Sequence, residues 1–177
     1  MAFIAVDINP LILANQGLGL NAEILYEKHI SLGSSLEYYL QKPYNNSGVQ
    51  ATRDMINLAP FLRYYLLSPK LEGLFIGAKL NFTYSQAEIK DNTVSAKSNN
   101  FYVAPTIHFG YRFVSHNGFT VSAYAGAGIK SSSNKFEPSQ IPASRQNNQD
   151  WKNALDKLNQ NVTSLEPDYG LTVGYEF

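Results

Sequence analysis

The chain has 177 residues, with fourteen Lys and Arg balanced by fourteen Asp and Glu, so no overall field draws it toward nucleic acid. Charged residues make up only 16% of it, against roughly 25% in an ordinary soluble domain, while aromatic residues reach 13%. The absence of cysteine excludes disulfide scaffolds, thiolate metal sites and cysteine nucleophiles, and no apolar run is long enough for a transmembrane helix.

Alternation of apolar and polar residues recurs along most of the sequence and predicts eight strands in one domain spanning residues 1–177. The first covers residues 2–13, with Ile4, Val6, Ile8 and Ile12 on one face and Asp7 and Asn9 on the other. The second, 18–26, sets Leu18, Leu20, Ala22, Ile24 and Tyr26 against Asn21 and Glu23. The third, 30–40, opposes Leu32, Leu36 and Tyr38 to Ser31, Ser35 and Glu37. The fourth, 55–66, opposes Ile56, Leu58, Leu62 and Tyr64 to Asn57 and Arg63.

In the fifth strand, 73–85, Leu74, Ile76, Leu80 and Phe82 face away from Lys79, Asn81 and Thr83. The sixth, 100–113, separates Phe101, Val103, Ile107, Phe109 and Tyr111 from Thr106, His108 and Arg112. The seventh, 119–129, is the weakest, its apolar face being mainly alanine. The last, 169–177, sets Leu171, Val173, Tyr175 and Phe177 against Thr172, Gly174 and Glu176.

Short turns are expected at 27–29, 68–70 and 116–118, where Asn117-Gly118 is a hairpin signal. Polar loops are expected at 41–54, 86–99 and 130–167, and a short one near 14–17. Within the last long loop, residues 150–159 read as a helix capped by Asp150, with Trp151, Ala154, Leu155 and Leu158 forming one stripe. That stripe suits a lid packed on the barrel rim. Pro10, Pro60 and Pro105 fall inside predicted strands and lead us to expect bulges or strand ends beside them.

An antiparallel meander either closes or leaves two edges open to aggregation. The fold expected is therefore all-β, an eight-stranded up-and-down transmembrane barrel with one short helix in its last long loop. Tilted strands of about 10 residues raise an apolar band about 25 Å tall, which matches a bilayer. The apolar phase carries no charge at any strand centre and holds Tyr26, Tyr38, Tyr64, Tyr84, Tyr111 and Tyr175 near strand ends, as an interfacial belt would. The polar phase is too weakly charged for an exterior. It suits a lumen in which Asp7, Glu23, Glu37 and Glu176 face Arg63, Lys79, His108 and Arg112 as a structural charge network.

The segments APFLRYYL (residues 59–66), APTIHFGYRF (104–113) and LTVGYEF (171–177) resemble the eight-stranded outer-membrane barrels of diderm bacteria, the OmpA-like and OmpX-like membrane domains. The resemblance covers essentially the whole chain. It implies residence in the bacterial outer membrane, with an export signal outside this numbering. Val173, Tyr175 and Phe177 would then be the signal read by the outer-membrane assembly machinery. No appended peptidoglycan-binding domain is visible.

The function expected is non-enzymatic. A lipid-embedded scaffold would display its long loops to surfaces or host molecules, with outer-membrane lipid as its surroundings, no cofactor, no metal and no nucleic-acid partner. Two alternatives belong to other classes. His29-Ile30-Ser31 is faintly similar to the His-x-Ser pairing of lipid A deacylase barrels, and a soluble lipocalin-like carrier would line its cavity with the apolar phase.

Overall fold

The computed structural model describes residues 3–10, 12, 16–68, 70–132, 135–160 and 163–177, with the side chain of Lys42 excepted. Eight strands run in chain order: β1 (Ile4–Ile8), β2 (Leu18–Glu27), β3 (Ile30–Asn46), β4 (Val49–Tyr65), β5 (Gly73–Lys90), β6 (Ser95–Val114), β7 (Phe119–Ile129) and β8 (Leu165–Glu176). Each is antiparallel to both neighbours, and β1 closes on β8 from Ala5 opposite Glu176 to Ile8 opposite Val173. Closure gives every strand a partner on both sides, although the far ends of β3, β6 and β8 run on past β2, β7 and β1.

The predicted faces hold in the eight strands, Ile12 of the first predicted segment excepted. Ile4, Leu20, Leu36, Leu58, Ile76, Ile107 and Phe109 are exposed on the outside, while Asp7, Glu23, Glu37, Asn57, Lys79 and His108 are buried inside. Tyr38, Ile56, Tyr84 and Phe101 follow one another through the strand register, so they form one continuous outer row. Tyr64, Tyr111, Phe113, Phe119 and Tyr175 gather near the other end of the belt. An apolar exterior of this extent is not one that water solvates well.

Strands β3 to β6 outlast that belt, and beyond it their pattern inverts. Past Ile56 the outward positions of β4 are Asp54, Thr52 and Gln50, and its inward ones include Ala51 and Val49. Likewise β5 turns Gln86, Glu88 and Lys90 outward and buries Ala87 and Ile89, while β6 buries Ala96 between Ser95 and Lys97. Below the rim the greasy side faces out; above it the greasy side faces in. Such an inversion is what a change of surroundings from hydrocarbon to water demands.

The inward apolar patch is covered by α1 (Gln149–Asn159). Trp151, Ala154, Leu155 and Leu158 pack on Val49, Ala51, Ala87, Ile89 and Ala96, with Phe136 and Ile141 completing the cluster. The helix is capped by Asn148, whose side-chain oxygen accepts from the Asp150 and Trp151 amides. Asp150 is therefore a first-turn residue rather than the cap.

Several further expectations are corrected. The polar segments 41–54 and 86–99 are mostly strand rather than loop, because polar outward positions and small apolar inward ones mimic loop composition. Their tips are tight: Ser47 and Gly48, both left-handed at φ 50° and 81°, turn β3 into β4, and residues 91–94 turn β5 into β6. Residues 66–72 make a longer connection than the tight turn expected at 68–70, where Pro69 lies outside the described residues.

β1 stops at Ile8, and beyond Pro10 the buried Ile12 turns inward against Gly17 and Gly19 instead of joining the outer face. Ala2 and residues 13–15 lie outside the described residues. Pro60 keeps its register with Ser34 and only interrupts the β4–β5 ladder, and Pro105 lies just beyond the β6–β7 ladder, which begins at Thr106. No register shift occurs at either proline. The shifts fall instead between Leu25 and Glu27 and between Gln41 and Tyr44, the second spanning Pro43.

Candidate functional site: the lumen ion network and outer vestibule

Inward-facing residues of all eight strands converge in two layers. In the layer nearer the short turns, Arg112 of β6 reaches Asp7 of β1 at 2.7 Å and Glu23 of β2 at 2.6 Å. Arg63 of β4 joins Glu23 at 2.7 Å. Glu23 also accepts hydrogen bonds from Ser31 at 2.5 Å and Tyr65 at 3.0 Å, and Thr120 donates to Asp7 at 2.7 Å. The Arg63 guanidinium lies 4.3 Å from the Phe61 ring and 4.5 Å from the Phe75 ring, so aromatic faces take up what its carboxylate does not.

The second layer is centred on Lys79 of β5, which lies 3.5 Å from Glu37 of β3 and 3.3 Å from Asp168 of β8. Tyr39 and Asn57 donate to Glu37, Asn57 donates to Asn81, and Thr106 donates to Asp168. His108 links the layers. Its Nε2 accepts from Arg63 Nε at 3.4 Å, which leaves the proton on Nδ1, and Nδ1 sits 3.2 Å from Asp168 but off-line for a hydrogen bond. That contact is electrostatic. Buried ionised groups persist only when paired in this way.

Thus the structure brings together Asp7, Glu23, Glu37, Arg63, Lys79, His108 and Arg112. Glu176 stands apart: half-buried, it makes no ion pair among the described residues and faces a cavity at the turn end with Lys70 and Glu72. Asp168 falls between the loop expected to end at Pro167 and the strand expected to begin at Tyr169, whereas β8 begins at Leu165. Patterning does not single out the lumen aromatics Tyr65, Phe75, Tyr102 and Tyr124, since they share the inward phase with polar residues. Their alternation with outward Tyr64, Ile76, Phe101 and Ala123 was the available signal.

Tyr65, Leu71 and Phe75 pack together toward the turn end, and Tyr124, in the same cluster, reaches the cavity on the other side. At the other end a cavity of about 930 Å³ opens above Lys79 and Asp168, walled by Arg53, Met55 and Tyr102. None of Asp7, Glu23, Arg63, His108 or Arg112 lines that vestibule or the cavity at the turn end. The network therefore separates the two.

Ser31 donates to Glu23, while His29 Nδ1 donates to the Tyr65 carbonyl at 2.8 Å; each group is thus turned toward a partner other than its neighbour in His29-Ile30-Ser31. Val173 is half-buried in the outer phase, and the Tyr175 and Phe177 rings lie 5.0 Å apart at the exposed end of β8. Among the described residues no three His, Asp or Glu side chains converge as a metal group would require.

Above the vestibule, Asp91 ties the β5–β6 turn to the α1 region. It accepts from the Thr93 amide and hydroxyl, from Arg145 Nε at 2.7 Å and from Trp151 Nε1 at 3.2 Å. The Thr93 hydrogen bonds above all, with Arg145 beside them, hold its carboxyl below the usual range.

Residues 2–163 match the model of a family described as protein of unknown function DUF3575. The chain belongs to that family. No curated protein matches it by sequence. Among solved structures it is similar to Ail, the attachment invasion locus protein of Yersinia pestis, with a TM-score of 0.54 at 8% identity over 99% of this chain and 96% of that one. A second Ail structure, in complex with the heparin analogue sucrose octasulfate, gives 0.54 at 9% identity over the same shares. CarO2 of Acinetobacter baumannii gives 0.50 at 13% over 99% and 98%. This DUF3575 chain has the fold of the eight-stranded outer-membrane barrels.

Proposed function

We infer that this DUF3575 protein resides in the bacterial outer membrane as a non-enzymatic barrel. Its closed lumen serves as a rigid post for the strand extensions and α1 on the far side of the rim. The observation that carries the reading is the ion network. Arg112, Glu23, Arg63 and Asp7 fill the bore between two cavities that neither reaches nor shares them. A bore so filled is a structural brace, because each charge is spent on another charge.

The inversion of polarity above the belt supports a half-in, half-out placement, with the hairpin tips and α1 presented to the outside. Such projections on a rigid scaffold are where contact with surfaces or host molecules takes place. Ail, in the same fold, holds a sulfated sugar analogue, which supports a ligand-contacting role for those projections.

Single-channel recording of the refolded protein in planar bilayers tests the closed bore. The expected result is a bilayer without steady, large conductance. A stable open level in every insertion would overturn the brace.

A further inference from the structure

Among the described residues three cations line the vestibule, and two of them are already satisfied. Lys79 lies between Glu37 and Asp168, and Lys130 pairs with Glu166 at 2.9 Å while resting 5.2 Å from the Tyr102 ring. Arg53 differs. It is only 4% exposed, makes no ion pair among the described residues, and has neither Nε nor Nη2 in a hydrogen bond. Native structures rarely leave charged donors buried and unpaired.

Those two N–H groups lie on the same edge of the guanidinium, the edge that takes both oxygens of a planar oxyanion side by side. Strand register places it well. Arg53 sits between Gln41 of β3 and Ala87 of β5, and it lines the cavity together with Gln41, while Ala87 is covered by α1. Met55 and Tyr102 supply an apolar wall, and Gln160 and Thr163 stand at the exposed mouth.

We propose that the vestibule binds a small monocarboxylate, its carboxylate on the Nε–Nη2 edge of Arg53 and its apolar body against Tyr102 and Met55. A single negative charge is favoured because Glu37, Glu166 and Asp168 line the same cavity and repel a dianion. The site lies on the outer side of the ion network, so it does not need an open bore.

The test is calorimetric titration of the whole barrel in non-ionic micelles with benzoate, with benzamide as its uncharged counterpart, and with inorganic phosphate and sulfate as competitors. Benzoate is expected to saturate one site. Arg53→Gln weakens it by about tenfold or more, and Arg53→Lys weakens it less, because a lysine keeps the charge and loses the fork. Lys97→Gln, an exposed cation outside the vestibule, leaves it unchanged.

Circular dichroism verifies each variant's fold, and Arg53→Lys carries the test if Arg53→Gln does not refold. Absence of saturable benzoate binding, equal binding by Arg53→Gln, equal affinity for benzamide, or displacement by phosphate or sulfate at lower concentration than benzoate itself would each overturn the proposal. The conductance result is independent of all four.

Discussion

Arg112 and Glu23 meet at 2.6 Å across the lumen, from β6 and β2, strands that share no ladder. Backbone pairing cannot bring these two together. Only closure of the whole ring does, so the contact couples side-chain electrostatics to barrel formation.

Glu23 receives Arg63, Arg112, Ser31 and Tyr65 at once. Glu23→Gln leaves Arg63 without a carboxylate and Arg112 with Asp7 alone. The expected loss is about 3 to 5 kcal/mol, the usual cost of breaking a buried ion pair from one side. Lys97→Gln, which removes an exposed pair, changes stability by less than about 1 kcal/mol. Urea unfolding of the two variants in the same micelles separates these outcomes.

The polarity inversion gives a position-dependent prediction along the outward phase. Leu62→Arg, within the belt, is expected to destabilise the bilayer-inserted barrel by about 2 to 4 kcal/mol. Gln86→Arg occupies the same phase beyond the rim and stays within about 0.5 kcal/mol. Equal costs at both sites in vesicle refolding titrations would mean that the belt ends elsewhere.

Much of this was legible beforehand. Eight alternating segments, their faces, the Trp151 stripe and seven charges of the network follow from period-two patterning, because lipid and lumen impose opposite demands on successive residues. The strand extensions were not legible, since residues such as Val49, Ala51, Ala87 and Ala96 reverse that demand above the rim and dissolve into apparently polar loops. Arg53 was hidden for the same reason, inside a segment that read as loop. Ile12 misled because Pro10 ends the strand and the chain then bends inward.

The α1 region should respond to acid through Asp91. Its carboxyl is held low by Thr93 and Arg145, so this contribution is complete above the unfolded value of about 4 and is lost as pH falls from there toward the lower folded value. Trp151 donates to the same carboxylate and is fully buried. Its emission is therefore expected to remain blue-shifted at neutral pH and to move to longer wavelength only in strong acid. Asp91→Asn should show the loosened signal at pH 7.

The helix cap offers a local test of the same region. Asn148→Ala removes the acceptor for two α1 amides and is expected to cost about 1 kcal/mol. Acrylamide quenching of Trp151 should rise while the barrel's far-ultraviolet spectrum stays unchanged. Loss of the whole spectrum would show that α1 and the barrel fold as one unit.

Which face of the sheet meets hydrocarbon is tested most directly by tryptophan quenching with brominated acyl chains. In a Trp151→Phe background, Phe109→Trp places the reporter on the outer face, where Phe109 is 67% exposed, and Phe75→Trp places it inside, where Phe75 is 1% exposed. Strong quenching at position 109 with little at 75 is the predicted result. Quenching at 75 with none at 109 would contradict the account at its root.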